Sequence, residues 1–146
     1  MVLYYRALFC SALVLLLLTL SGCGNGLDVV PVSGIVTRDG KPVEKLTLFF
    51  VPDSGRPSWG QTDKDGRFTL NYEEGVDGAK ISGHTVYATY HPRPSNPQEE
   101  QLMVRGLPLP QPKELDEILS KYGKQETSPL KIQITKAVSD LAIQLD

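Results

Sequence analysis

Residues 60–70, GQTDKDGRFTL, decide how the middle of this chain folds. Asp63 and Asp65 lie one residue apart and Gly66 follows at once, which could mark half of a calcium loop or a tight turn between strands. An EF-hand-type loop carries ligands at positions 1, 3, 5 and 12. With the glycine aligned, Tyr72 occupies position 12, so the glutamate that binds calcium through both oxygens is missing. We therefore interpret the stretch as a turn.

The turn interpretation accounts for each residue of the motif. We expect both aspartates to accept local backbone N–H groups and the glycine to adopt a positive φ, as in a three-residue hairpin loop with a bulge. Beyond the turn, Phe68, Leu70 and Tyr72 alternate with polar residues, which is the period of a half-buried strand. The stretch predicts a β-hairpin.

Further segments on both sides of this hairpin have strand character. With its two arms, the predicted strands are seven: 29–37, 44–51, 59–63, 67–72, 84–92, 130–135 and 141–146. Pro31 cannot donate a ladder hydrogen bond and therefore predicts an edge position for the first strand. Turn signals separate the strands, and helices do not alternate with them. The pattern predicts an all-β domain over 29–146, folded as an antiparallel, seven-stranded Greek-key β-sandwich.

A proline-rich insertion at 92–128 interrupts the strands, and 113–122 within it has helical periodicity. The apolar residues of this helix recur at i, i+3, i+4 and i+7; they are Leu115, Ile118, Leu119 and Tyr122. A helix of ten residues is marginal in water and must bury such a stripe. We therefore predict that the helix docks on its own sandwich; the alternative is that the stripe is a surface for a partner.

The first residues have the pattern of a secretory signal, with Arg6 before about fourteen apolar residues. The alternative, a transmembrane anchor, needs roughly 20 apolar residues. The end of the run, LSGC at 20–23, resembles the lipobox of bacterial lipoproteins. That resemblance implies a signal peptide at 1–22, lipid on Cys23, a flexible tether at 23–28 and membrane anchoring through the lipid. Gly24 stands where an aspartate often marks inner-membrane retention, which favours the outer membrane.

Composition argues against a nucleic-acid partner and against a disulfide bond. The chain has 15 basic and 17 acidic residues, and removal of the signal takes Arg6, leaving a net charge of −3. No basic face is evident, so a nucleic-acid partner is not expected. Cys10 leaves with the signal and Cys23 is the predicted lipidation site, so no disulfide is expected.

The order of the predicted elements resembles the carboxypeptidase regulatory-like domain, a transthyretin-like β-sandwich common in bacterial surface lipoproteins. The matching segments are PVSGIVTRDGKPVEKLTLFFVP (31–52), GQTDKDGRFTL (60–70) and GHTVYATY (83–90). In the last segment His84-Thr85-Val86 replaces the family's tyrosine pattern. The resemblance implies a fold and no activity, because this family is defined by its scaffold.

We found no pattern that predicts catalysis, a cofactor or a metal site. His84 and His91 are seven residues apart, which places them on opposite faces of a regular strand, and we expect them at the surface or partly packed. Serine occurs in no nucleophile motif.

We therefore expect a non-catalytic, lipid-anchored envelope protein with a structural or protein-interaction role. The alternative is a module that binds carbohydrate or peptidoglycan; an enzyme ranks third. Trp59, Tyr72, Tyr87 and Tyr90 could form a sugar-stacking platform or be core and cross-strand pairs. The residues chosen as a possible partner or ligand surface are Trp59, Tyr87 and the four apolar residues of the helix.

Overall fold

The structure is a computed structural model that describes residues 28–90, 94 and 96–146. The predicted signal peptide, Cys23 and His91 lie outside the described residues. The described chain is mostly β, with two short helices.

The strands and helices have the following bounds. The strands are β1 (Val29–Val30), β2 (Val32–Arg38), β3 (Lys41–Pro42), β4 (Leu46–Pro52), β5 (Ser58–Gln61), β6 (Arg67–Thr69), β7 (Asn71–Glu73), β8 (Val76–Asp77), β9 (Ala79–Lys80), β10 (Ser82–Tyr90), β11 (Lys131–Ile134) and β12 (Val138–Gln144). The helices are α1 (Pro97–Val104) and α2 (Lys113–Tyr122). All seven predicted segments contain strands, and the bounds of α2 are those expected.

The larger strands form two sheets. One sheet has the order β11-β10-β4-β5-β7-β8, and the other has the order β12-β2-β3 with β6 also paired to β2. β1 pairs separately with β9. The prediction of an all-β, layered domain is confirmed at this level.

The two sheets enclose one apolar core because their strands alternate between inward and outward side chains. On β4, Leu46, Leu48 and Phe50 are fully buried, while the residues between them are partly exposed. Phe50 meets Phe68 of the other sheet with ring centroids 6.2 Å apart. Burying a large apolar side chain contributes roughly 1.5–3 kcal/mol, so this alternation holds the layers together.

The turn of the GQTDKDGRFTL stretch is present, but its two arms do not form the expected hairpin. β5 pairs with β4 and β7, whereas β6 pairs with β2 in the other sheet. Leu70, fully buried, separates β6 from β7, which returns to the first sheet. The hairpin prediction was wrong because β6 and β7 form a corner segment that contributes to both sheets, an arrangement known in sandwiches.

The local chemistry of the turn is close to that expected. One carboxylate oxygen of Asp63 accepts the backbone N–H groups of Asp65 and Arg67, both at 2.9 Å, and Gly66 has φ of 71°. Within the described part of the chain, no such bond reaches the Asp65 carboxylate, so only one of the two aspartates has the predicted role.

The pairing of β2 departs from the sequence prediction in two ways. β12 runs parallel to it, with Ile143 beside Val36, so the sandwich is not antiparallel throughout. β2 is also flanked on both sides, by β12 and by β3 and β6, and is not an edge strand. Pro31 is tolerated because it lies in the break between β1 and β2, where its carbonyl oxygen accepts the N–H of Val138 at 3.0 Å.

Helix α2 docks on the sandwich. Leu115, Ile118 and Tyr122 are buried in the common core, and Leu119 packs against it. The helix contacts β10, and β11 pairs only with residues 82–85 of that strand. α2 thus packs on a strand whose second half lacks a β11 partner, one of the ways in which proteins protect sheet edges.

Helix α1 was not predicted. It begins after Asn96, whose side-chain oxygen accepts the N–H of Glu99 at 2.9 Å, and it has Pro97 in its first turn. Both are N-terminal signals, but the helix buries no residue and has no apolar stripe. The periodicity that revealed α2 is therefore absent from α1.

Candidate functional site

The outer face of the six-stranded sheet carries three aromatic side chains in one line across three neighbouring strands. Phe49 of β4 is opposite Trp59 of β5 on one side and Tyr87 of β10 on the other. Directly opposite residues share a face of the sheet. We call Trp59, Phe49 and Tyr87 the aromatic row.

The rings of the row are exposed to different degrees. Trp59 is 47% exposed, while Phe49 and Tyr87 are half-buried. The Phe49 and Tyr87 rings stack on each other with centroids 4.9 Å apart and planes 11° from parallel. Such a stack covers one face of each ring, so the surface offers the Trp59 side chain together with the edges and the opposite faces of Phe49 and Tyr87.

The surroundings of the row are polar but not strongly charged. Thr47 and Thr85 lie on the same sheet face, and the Lys131 ammonium donates to the Thr85 hydroxyl at 2.7 Å. Farther out, Arg56 pairs with Glu73 at 3.0 Å. An apolar centre with a polar rim is the usual anatomy of a protein interface.

Sequence analysis found two members of the row and missed the third. Trp59 and Tyr87 were chosen as a possible partner or ligand surface, but Phe49 was treated only as part of an apolar strand. Its alternation with the buried Leu48 and Phe50 was the available signal, since neighbours on a strand point to opposite faces. That signal places Phe49 outside but does not align it with the other two residues.

The other two aromatic residues of the sugar-platform hypothesis lie elsewhere. Tyr72 is buried, with the Arg56 guanidinium 5.6 Å from its ring centre. Tyr90 is half-buried and donates its hydroxyl to the carbonyl oxygen of Pro110 at 3.0 Å. Burial raises the pKa of Tyr90, and the charge of Glu99 adds to this; both favour the protonated phenol that donates this bond. The four-ring platform is not assembled.

The helix stripe is not available as a surface either. Leu115, Ile118 and Tyr122 are each no more than 6% exposed, because they fill the core beside β10. Their proposed role as part of a partner surface is therefore corrected: they stabilise the fold. Leu119, half-buried, packs on the same core.

His84 is a core residue, contrary to the expected surface or partly packed position. It is 3% exposed, its Nε2 lies 2.8 Å from the carbonyl oxygen of Lys80, and its ring meets Phe50 edge-on at 5.9 Å. Its Nδ1 has no hydrogen-bond partner within the described residues. Across residues 28–90, 94 and 96–146, no three or more His, Cys, Asp or Glu side chains are grouped as metal binding would require.

A groove of about 670 Å³ separates α2 from the turn between β2 and β3. Its charged lining has both signs, with Arg38, Lys41 and Lys113 beside Asp39 and Glu44. Arg38 also donates to the side chain of Glu117, and this bond raises the pKa of the guanidinium. The groove therefore favours no particular ion and does not compete with the aromatic row as a site.

Comparison with models of protein families, with curated proteins and with solved structures found no match to this chain. Among the described residues, neither helix is long and apolar enough to cross a membrane.

Proposed function

We propose that this chain is a lipid-anchored, non-catalytic protein of the bacterial cell envelope that binds another envelope protein through its aromatic row. The observation that carries the binding role is the row itself. Aromatic side chains are enriched at protein interfaces, and a few such anchors provide most of the binding free energy. The LSGC placement before Cys23 supports the anchor, and Gly24 supports the outer membrane.

The proposed fold family is supported by the segments that resemble the carboxypeptidase regulatory-like domain. PVSGIVTRDGKPVEKLTLFFVP corresponds to β2–β4 and GHTVYATY to β10. The Asp39-Gly40 turn has positive φ at both residues, 50° and 76°, as a two-residue type I′ hairpin turn requires, and it lies at the position of the family's D-G-K-P turn. We therefore propose a transthyretin-like, Greek-key arrangement of the carboxypeptidase regulatory-like type for this sandwich.

A protein partner fits the row better than a glycan. Sugars bind aromatic side chains by placing their C–H bonds over a ring face, where the electron density is highest. The Phe49 and Tyr87 faces that meet in the stack cannot serve this purpose. A protein partner can pack against the ring edges and the Trp59 side chain, so the stacking of Phe49 on Tyr87 does not prevent the row from binding a protein.

We expect Cys23→Ser to remove the lipid. The serine oxygen cannot form the thioether, and the anchoring provided by the acyl chains, about 0.8 kcal/mol per buried methylene, is lost. Cells grown with radiolabelled palmitate should label the wild-type chain and not the variant. Cys10→Ser is the matched control, because this cysteine lies in the predicted signal. Equal labelling of Cys23→Ser and wild type would show that Cys23 is not the lipidation site.

We expect Trp59→Ala to weaken partner binding by about 30-fold, the effect of losing a 2 kcal/mol anchor. Crosslinking in intact cells of the native host, followed by mass spectrometry, should detect a protein adduct that the variant loses. Leu107→Ala is the control, since Leu107 is similarly exposed at 48% but lies outside the sheet. An adduct that survives Trp59→Ala argues against the row, and one that disappears on digestion with a muramidase indicates a glycan.

A further inference from the structure

The two ends of the sandwich differ in their distance from the predicted lipid. At one end the N–H of Ile81 donates to the carbonyl oxygen of Asp28, the first described residue of the chain, at 2.7 Å. The turn 135–137 lies at the same end, because Ile134 pairs with Ser82 at the start of β10. We call this end, with Asp28, Ile81 and residues 135–137, the tether pole.

Helix α2 marks the opposite end. Arg38, the last residue of β2, donates to the carbonyl oxygen of Glu114 at 2.7 Å. At the chain end Lys121 donates to the carbonyl oxygen of Asp146 at 3.0 Å. We call this end, with Arg38, α2 and Asp146, the helix pole. The strands β2, β4, β10 and β12 run between the two poles.

The length of chain before Asp28 limits which pole can approach a bilayer. Five residue steps separate Cys23 from Asp28, and a fully extended chain covers at most about 3.6 Å per residue, or about 18 Å. The six steps of β2 cover about 20 Å, and Arg38 at their far end contacts α2. With the helix pole on the membrane, Asp28 would be at least about 20 Å from it, which is more than the fully extended tether covers.

We propose that the anchored domain contacts the phospholipid surface with its tether pole and points its helix pole away from the membrane. This inference rests on the proposed lipidation of Cys23. Ile81 is 44% exposed at the tether pole, so in this orientation an apolar side chain faces the lipid surface. The charged residues at this pole have both signs, Asp28 being acidic and Lys80 and Lys136 basic, so the contact does not depend on a strongly charged patch.

The proposed orientation also determines how the aromatic row lies relative to the membrane. Its strands run from pole to pole, so the sheet face that carries Trp59 stands upright on the membrane. A partner that binds this face would therefore lie beside the domain, at the same height above the bilayer.

Spin labels at the two poles test the orientation. Thr135→Cys at the tether pole and Ser120→Cys on the outside of α2 are both exposed positions, and an acylated Cys23 does not react with a thiol-directed nitroxide. The lipidated full chain is reconstituted into vesicles of phosphatidylethanolamine and phosphatidylglycerol that contain a nickel-chelating headgroup lipid. Relaxation enhancement by the headgroup nickel is then measured at each label.

We expect severalfold greater enhancement at residue 135 than at residue 120. Equal enhancement, or greater enhancement at residue 120, in a chain that floats with the vesicles would overturn the orientation and leave the anchor standing. A chain that does not float with the vesicles would overturn the anchor and the orientation together.

Discussion

Ile118→Asp should lower the free energy of unfolding by about 2–4 kcal/mol, because the substitution leaves a gap in the core and buries an unpaired carboxylate. Ile118 is 3% exposed in the face of α2 that packs on β10. A domain of this size has a total stability of roughly 5–15 kcal/mol, so the loss is a large fraction of it. Urea unfolding of the chain without residues 1–22 and with Cys23→Ser measures it.

The control for this experiment is Ser120→Asp on the exposed side of the same helix. It adds the same charge to α2 without removing core packing, and surface changes of this kind usually stay within about 0.5 kcal/mol. If Ile118→Asp and Ser120→Asp unfold at the same urea concentration as the parent chain, the helix does not dock as described. The stripe would then become the best candidate for a partner surface.

Gly66→Ala is expected to cost about 2–4 kcal/mol through two separate effects. Its φ of 71° disfavours any residue with a Cβ by about 1–2 kcal/mol. A Cβ at this position would also lie 2.5 Å from the carbonyl oxygen of Val36, so β2 would have to move. The same movement would weaken the 2.8 Å bond from the Val36 N–H to the Gly66 carbonyl oxygen.

Gly75→Ala separates the two effects. Gly75 has φ of 77°, but a Cβ there would have no neighbour within 4 Å, so only the conformational cost applies. The difference between the two variants in thermal or urea unfolding measures the clash with β2. Equal losses would mean that the turn does not pack against β2, and the contact between the 62–66 turn and the second sheet would be wrong.

Much of the candidate site could be predicted from local patterns, but its assembly could not. Trp59 and Tyr87 were chosen from the sequence as a possible partner or ligand surface, while core or cross-strand pairing remained the alternative. The row exists only because β4 and β10 pair with Tyr87 opposite Phe49. A shift of one residue in that register would turn the rings to the other face, and no local signal in either strand specifies the register.

The apolar stripe of α2 also separates what a local pattern predicts from what the tertiary structure decides. Its periodicity predicted α2 with the observed bounds, because the spacing of apolar residues on a helix is a local property. The need to bury the stripe predicted that α2 docks on the sandwich, with a partner surface as the alternative. The structure buries it against β10, so residues that were chosen as a possible surface belong to the core.

The sequence by itself determined the strand character of the chain, the Asp63–Gly66 turn and helix α2. Each depends on contacts within a few residues: the two-residue alternation, the side-chain bond of Asp63 to nearby N–H groups, and the helical repeat. The tertiary structure decided that β5 and β6 join different sheets, that β12 runs parallel to β2, and that Phe49 completes the aromatic row. These features depend on pairings between distant segments, whose free energy comes from core packing that forms only when both sheets are in place.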